Sequence, residues 1–183
     1  MSRKYKFHNP DGIYFVTLTV VNWLDIFTKP YYKDLVVENL KFCQTHKGLV
    51  IHAWVIMTNH IHLIISRDGE QKCEEILRDF KKFTAFKLIG MIMKNLEEAR
   101  KEYFIKTFED FGHRNSNNTK YQFWIQDNHP VEMINDIILH QKLENIHNNP
   151  VEAGFVEIPE HYVYSSAKDY ANDKGLIDIV LIN

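Results

Sequence analysis

The sequence predicts an α+β fold in which helices pack on one face of an antiparallel sheet. Three observations predict it. Aromatic and β-branched residues alternate with threonines near the N-terminus, two strand-like runs flank a two-residue polar break, and apolar residues at helical spacing follow the first and third of these strands. The resulting order of strand, helix, strand, strand and helix suits a two-layer sandwich. With 183 residues and 45% hydrophobic content the chain can bury a sizeable core, and residues 1–183 are expected to form one domain.

In "GIYFVTLTVVNW", Gly12 to Trp23, the alternation predicts a strand with one buried face. From about Tyr31 to His46, Leu35, Val36, Leu40 and Cys43 recur at helical spacing, and Gly48 is a natural stop. "LVIHAWVIM" and "HIHLIIS" lie on either side of Thr58 and Asn59, close enough for an antiparallel hairpin. Lys72 to about Met93 predicts a longer helix with Ile76, Phe80 and Phe83 as its buried stripe, Arg78 and Lys82 opposite, and Lys81 on the flank. Helical bias continues from Leu96 to about Phe108, and the polar run "GHRNSNNTK" then predicts a mobile loop. In "YQFWIQD", Phe123 and Trp124 are expected in the core. Pro130 then fits the first turn of a helix that Pro150 ends, with Leu139, Leu143 and Ile146 facing inward. The tail "EIPEHYVYSSAKDYAND" is irregular, and its tyrosines are expected to pack back on the body.

Composition narrows the function. No apolar run reaches the length of a membrane span, and "MSRKYKFHNPDG" lacks the hydrophobic segment of a secretory signal, so a cytoplasmic chain without a membrane partner is expected. Cys43 and Cys73 sit singly in helix-like segments, which argues against a disulfide framework or zinc ribbon and for buried, reduced thiols. A net charge of -2 gives no broad attraction for a polyanion, so any nucleic-acid role must rest on local patches.

One short stretch carries chemistry. In "TNHIHLII" successive side chains of a strand alternate, so His60 and His62 share one face while Ile61, Leu63 and Ile65 share the other. Neutral imidazole is the commonest nitrogen ligand for metal ions, and a same-face pair needs only one or two oxygen ligands more to make a site with open positions. Open positions serve chemistry rather than structure. On spacing alone, a solvated face or a pair of hydrogen-bonded rings explains the histidines as well. His52, on the neighbouring strand, is expected at an ordinary polar position, with a third ligand as the alternative.

"AWVIMTNHIHLII", "FKKFTAFKL", "FWIQDNHPVE", "IHNNPVEAGFV" and "YVYSSAKDY" occur in that order over nearly the whole chain. Together they resemble the IS200-like single-tyrosine transposases with a histidine-hydrophobic-histidine signature, in the branch associated with repetitive extragenic palindromes. The resemblance implies a ferredoxin-like core with the two histidines on a central strand. It implies a tyrosine on a later helix that attacks a phosphodiester of single-stranded DNA beside a hairpin or other palindromic element. The attack leaves a 5′-phosphotyrosine link and a free 3′-hydroxyl, which later reseals another strand. Mg²⁺ or Mn²⁺, held by the histidines, polarises the scissile phosphate.

In that family the helix reads tyrosine, isoleucine, two variable residues and Asn-Pro-Val, whereas this chain has "NIHNNPV" and places Asn145 at the tyrosine position. A carboxamide has no ionisable oxygen to attack phosphorus and leave again, so covalent nicking is expected to be absent or severely impaired. Asn149 matches the position that completes the metal site with His60 and His62, and it shares a helical face with Asn145; a capping role before Pro150 is its alternative. Tyr121, Tyr162, Tyr164 and Tyr170 miss the matched position and are expected to pack. For gripping single-stranded DNA the candidates are Arg3, Lys4 and Lys6, then Arg78, Lys81, Lys82 and Lys87, although a charged outer helical face is more often simply solvated. Some relatives act as dimers that share active sites and the palindrome-associated ones as monomers, so monomer and homodimer both stay open. Beside a transposase that has lost nicking stand two alternatives: a non-catalytic DNA-binding or regulatory derivative, and a metal-dependent nuclease using activated water.

Overall fold

Alternation along β1 (Tyr14–Thr19) sends Tyr14, Val16 and Leu18 into the larger core and turns Phe15, Thr17 and Thr19 to the opposite face. The computed structural model describes residues 7–114 and 120–182. After β1 the chain makes two short 3-10 turns and enters α1 (Pro30–Lys47), where Pro30 occupies the first turn and Tyr32, Val36, Val37, Leu40 and Cys43 are buried. Gly48 ends the helix at φ 69°, and a side chain there would strike the Asp68 carbonyl, so glycine is required on two counts.

β2 (Leu49–Ile56) and β3 (His60–Arg67) form the expected antiparallel hairpin, closed by the Met57 N–H donating to the His60 carbonyl at 2.8 Å. β3 also pairs with β1, and β1 with the two-residue β4 (Val131–Glu132), giving the sheet order β2-β3-β1-β4 with every neighbour antiparallel. With α1 between β1 and β2 and α2 (Cys73–Lys94) between β3 and β4, this is the ferredoxin-like arrangement; α3 (Lys101–His113) is inserted after α2. Residues 112–114 of the expected polar loop extend or follow α3, and residues 115–119 lie outside the described residues.

Three expectations are corrected. In α2 the buried stripe is Ile76, Leu77, Phe80, Thr84 and Leu88, so Phe83 falls off its edge and is 47% exposed; it lines a 610 Å³ groove against α1 with Phe42 and Phe86. No helix starts at Pro130. That residue belongs to an edge segment, where a missing N–H costs little, and it leads into Val131 paired with Phe15. α4 (Asp136–Glu152) begins instead where Asn135 Oδ1 accepts from the Ile138 N–H at 2.9 Å. Nor does Pro150 end α4. It lies in the last turn, buried, where the ring forfeits only a bond to the Ile146 carbonyl.

α1 and α2 cover one face of the sheet, as expected. α4 lies on the other, where Leu139 and Ile146 are buried, and Leu143 half-buried, in a second cluster with Phe15, Ala53, Val55 and Ile64. Both cysteines are buried and free, and no helix among the described residues is long and apolar enough to cross a membrane. The tail packs through its phenols: Tyr162 donates to the Ile56 carbonyl (2.8 Å), Tyr164 to the Asp34 carboxylate (2.8 Å) and Tyr170 to the His52 carbonyl (3.1 Å).

His52 sits at a register shift in β2, buried, with Nδ1 bonded to the Val180 carbonyl (2.9 Å) and Nε2 to Ser66 Oγ (2.8 Å), so both nitrogens serve structure. Burial holds its pKa below 6.5, partly opposed by the Val180 bond. The folded ring is therefore neutral where the unfolded ring takes up a proton, and stability should fall as pH drops below about 6.5, by at most about 1.4 kcal/mol per pH unit from this group. In urea unfolding, His52→Gln should be less stable than the native chain at pH 7 yet lose less on going to pH 5. An unchanged pH slope would refute this.

Candidate functional site

Strand geometry places His60 and His62 side by side on the α4 face of β3, with ring centroids 4.6 Å apart and the rings edge to face. Across the ladder Thr19 stands opposite His60 and Thr17 opposite His62. His62 Nδ1 shares a hydrogen bond with Thr17 Oγ1 (2.9 Å), and His60 Nδ1 donates to Asn59 Oδ1 (2.6 Å). Phe15 stacks on the His62 ring at 5.1 Å, and the Trp23 indole meets His60 edge to face at 6.2 Å.

Burial depresses the pKa of both rings; for His62, with the added repulsion of His60 and Lys142, it falls to about 3. Both are therefore neutral at pH 7. Each ring is held through Nδ1, and among the described residues neither Nε2 has a hydrogen-bond partner. A neutral imidazole with one nitrogen oriented by an oxygen and the other open is the donor arrangement a divalent ion needs. Among the described residues no group of three His, Cys, Asp or Glu side chains is placed to hold a metal.

α4 can supply a third ligand. Its Lys142 lies with Nζ 4.6 Å from the centroid of Phe15, the ring that stacks on His62, and its charge contributes to the depressed pKa of that histidine. Asn145 and Asn149 follow three and seven residues later on the same side of the helix, about 5 and 10 Å further along its axis. Asn145 is exposed and Asn149 half-buried. The cap alternative for Asn149 drops out, because the helix runs past it to Glu152 and the Ala153 N–H closes on its main-chain carbonyl. His147 turns elsewhere, to Ser166 Oγ (3.0 Å) and the Tyr170 ring, and burial pushes its pKa down to about 4. The phenols of Tyr162, Tyr164 and Tyr170 are committed to tail contacts, and Tyr121 carries Lys120 over its ring.

The cations expected at DNA have different fates. Arg3, Lys4 and Lys6 lie outside the described residues. Arg78 is exposed and pairs with Asp79 at 3.1 Å. Lys81 is a tether: its ammonium donates to the carbonyls of Ile125 (2.6 Å) and Gln126 (3.1 Å) and to Asn128 Oδ1 (2.7 Å), and burial pushes its pKa down to about 8. Lys82 and Lys87 are exposed, the latter over the Phe83 ring. Arg78, Lys81, Lys82 and Lys120 line a 910 Å³ groove between α2 and the segment 120–128. Thr17, Asn59, Trp23 and Lys142 all touch or charge the site and were not singled out from the sequence. Thr17 and Lys142 had a usable signal, since period two puts Thr17 on a polar strand face and Lys142 stands one turn before Asn145.

A family model described as "Transposase IS200 like" matches residues 13–141, ending four residues before Asn145. Among solved structures the chain is similar to a REP-associated tyrosine transposase bound to a REP hairpin. The two are 15% identical with a TM-score of 0.62, and the similarity covers 100% of this chain and 94% of that one. It is also similar to a protein from Deinococcus radiodurans, at 12% identity and a TM-score of 0.44, over 80% of this chain and 98% of that one. No curated protein matches.

Proposed function

The chain belongs to the IS200-like transposase family, and from that premise we propose that it binds single-stranded DNA beside a hairpin at a divalent-metal site made by His60, His62 and Asn149, without nicking it. The observation that carries this is the pair of neutral imidazoles, 4.6 Å apart and each oriented through Nδ1, on the sheet face crossed by the helix that bears Asn145 and Asn149. Mg²⁺ or Mn²⁺ bound there supplies Lewis acidity toward a phosphodiester oxygen. His60 and His62 present Nε2 without first losing a proton, because burial already keeps them neutral. Thr17 and Asn59 hold the rings in place, and Asn149 offers a carboxamide oxygen. Lys142, with its ammonium over Phe15, adds a positive charge suited to the DNA backbone. The hairpin as partner is supported by the DNA held in the structurally similar transposase.

Cutting in this family requires a group that gives up a proton, esterifies phosphorus and leaves again. Asn145 can hydrogen-bond a phosphate but cannot form that ester. With Mg²⁺ and a hairpin oligonucleotide bearing a single-stranded flank, the native chain should therefore bind in a salt-sensitive way and release the DNA intact. For three phosphate contacts the affinity should fall about 20- to 40-fold between about 50 and 200 mM salt. Cut DNA with no protein attached would replace this function with hydrolysis by activated water, and absence of binding would remove it.

A further inference from the structure

We propose that Trp23 is a stacking platform for an unpaired nucleobase next to the histidine pair, a specificity contact that rests on the DNA-binding function proposed above. Of the three tryptophans, Trp54 and Trp124 are 0% and 4% exposed, whereas Trp23 is 63% exposed. Its backbone is held where bulky residues seldom go: Asn22 and Trp23 both have φ 54°, in the left-handed region. The surroundings hold it there. The Trp23 N–H donates to the Val20 carbonyl (3.1 Å), the Val20 N–H to the Asn59 carbonyl (2.9 Å), and Asn59 Nδ2 to the Trp23 carbonyl (3.4 Å). A strained turn that presents an indole to solvent gains no burial in return, which points to a ligand for the ring.

Position identifies that ligand. One side chain, Asn59, orients both components: its amide oxygen accepts a hydrogen bond from His60 Nδ1 and its amide nitrogen donates to the Trp23 carbonyl. The indole and His60 thus meet edge to face, with centroids 6.2 Å apart, while the tryptophan stays largely exposed to solvent. The acidic neighbour Asp25, which would repel a polyanion, is paired with Arg100 at 2.6 Å. A phosphate bound at the histidines brings an adjacent base within reach of the indole, and aromatic stacking accepts any base because each has a π-face.

The test titrates the full chain, in Mg²⁺, with a hairpin oligonucleotide carrying a single-stranded flank and with the same hairpin carrying an abasic flank. All three indoles emit, but only Trp23 is exposed to a bound base, so the change in emission on binding that Trp23→Asn lacks reports Trp23. The flanked hairpin should quench emission. Trp23→Asn, a residue at ease in the left-handed region, should bind the flanked hairpin about tenfold or more weakly, while Trp23→Phe should keep most of the affinity. The abasic hairpin should bind the native chain and both variants alike. Equal binding of the flanked hairpin by the native chain and Trp23→Asn, or unchanged emission at saturation, overturns the platform and leaves the DNA-binding function standing. If the native chain binds neither oligonucleotide, both fall.

Discussion

Asn145→Tyr should turn the chain into one that becomes covalently attached to hairpin-bearing single-stranded DNA in Mn²⁺, an all-or-none gain read as a band of lower mobility on a denaturing gel. Position 145 is exposed on α4, so a phenol fits there without disturbing the apolar residues beneath, chiefly Leu139 and Ile146. The helix already directs Lys142, one turn earlier, to the Phe15 ring that stacks on His62, so the new side chain emerges on the side of the sheet that carries both histidines. A phenol supplies what the carboxamide lacks, a proton it can release and an oxygen that forms a reversible phosphate ester. The adduct should need the metal and disappear when His60→Ala is added. If Asn145→Tyr folds, binds the hairpin and still gives no adduct, position 145 is not the nucleophile position.

The paired substitution His60→Ala and His62→Ala should weaken Mn²⁺ binding by more than about a hundredfold, beyond the loss typical of an outer-shell change, while the chain stays folded. Thr17→Val, which removes only the oxygen that orients His62, should cost about 10- to 100-fold. The signal of free Mn²⁺ in electron paramagnetic resonance reads both, and thermal unfolding is the control. The double substitution removes two half-buried rings and the partners of Thr17 and Asn59, an expected stability loss of about 1–3 kcal/mol. Native-like Mn²⁺ binding by the folded double variant would place the metal elsewhere.

Much of the fold was legible because its signals are local. Alternation announced β1, Gly48 announced the end of α1, and the two-residue break between β-rich runs announced the β2–β3 hairpin. What stayed hidden depends on neighbours. β4 is two residues long and has no period of its own; it exists because Phe15 offers a free edge to Val131. Phe83 matches a helical stripe as well as Thr84 does, and only the seat of α2 on the sheet turned Thr84 inward, where its hydroxyl bonds the Phe80 carbonyl and accepts from Trp124 Nε1. Lys81 looked like one more surface cation until the segment 120–128 closed three acceptors over it.

For the candidate site the division is similar. By itself the sequence determined that His60 and His62 share a strand face and that Asn145 and Asn149 share a helix face, since both statements need only the repeat of one element. Tertiary structure alone decided that α4 crosses the histidine face, that burial keeps both rings neutral, and that Trp23 stands beside them, tied through Asn59. Those facts come from apolar surfaces, backbone partners and excluded water brought together from distant parts of the chain, and no local pattern of residues encodes where such pieces meet.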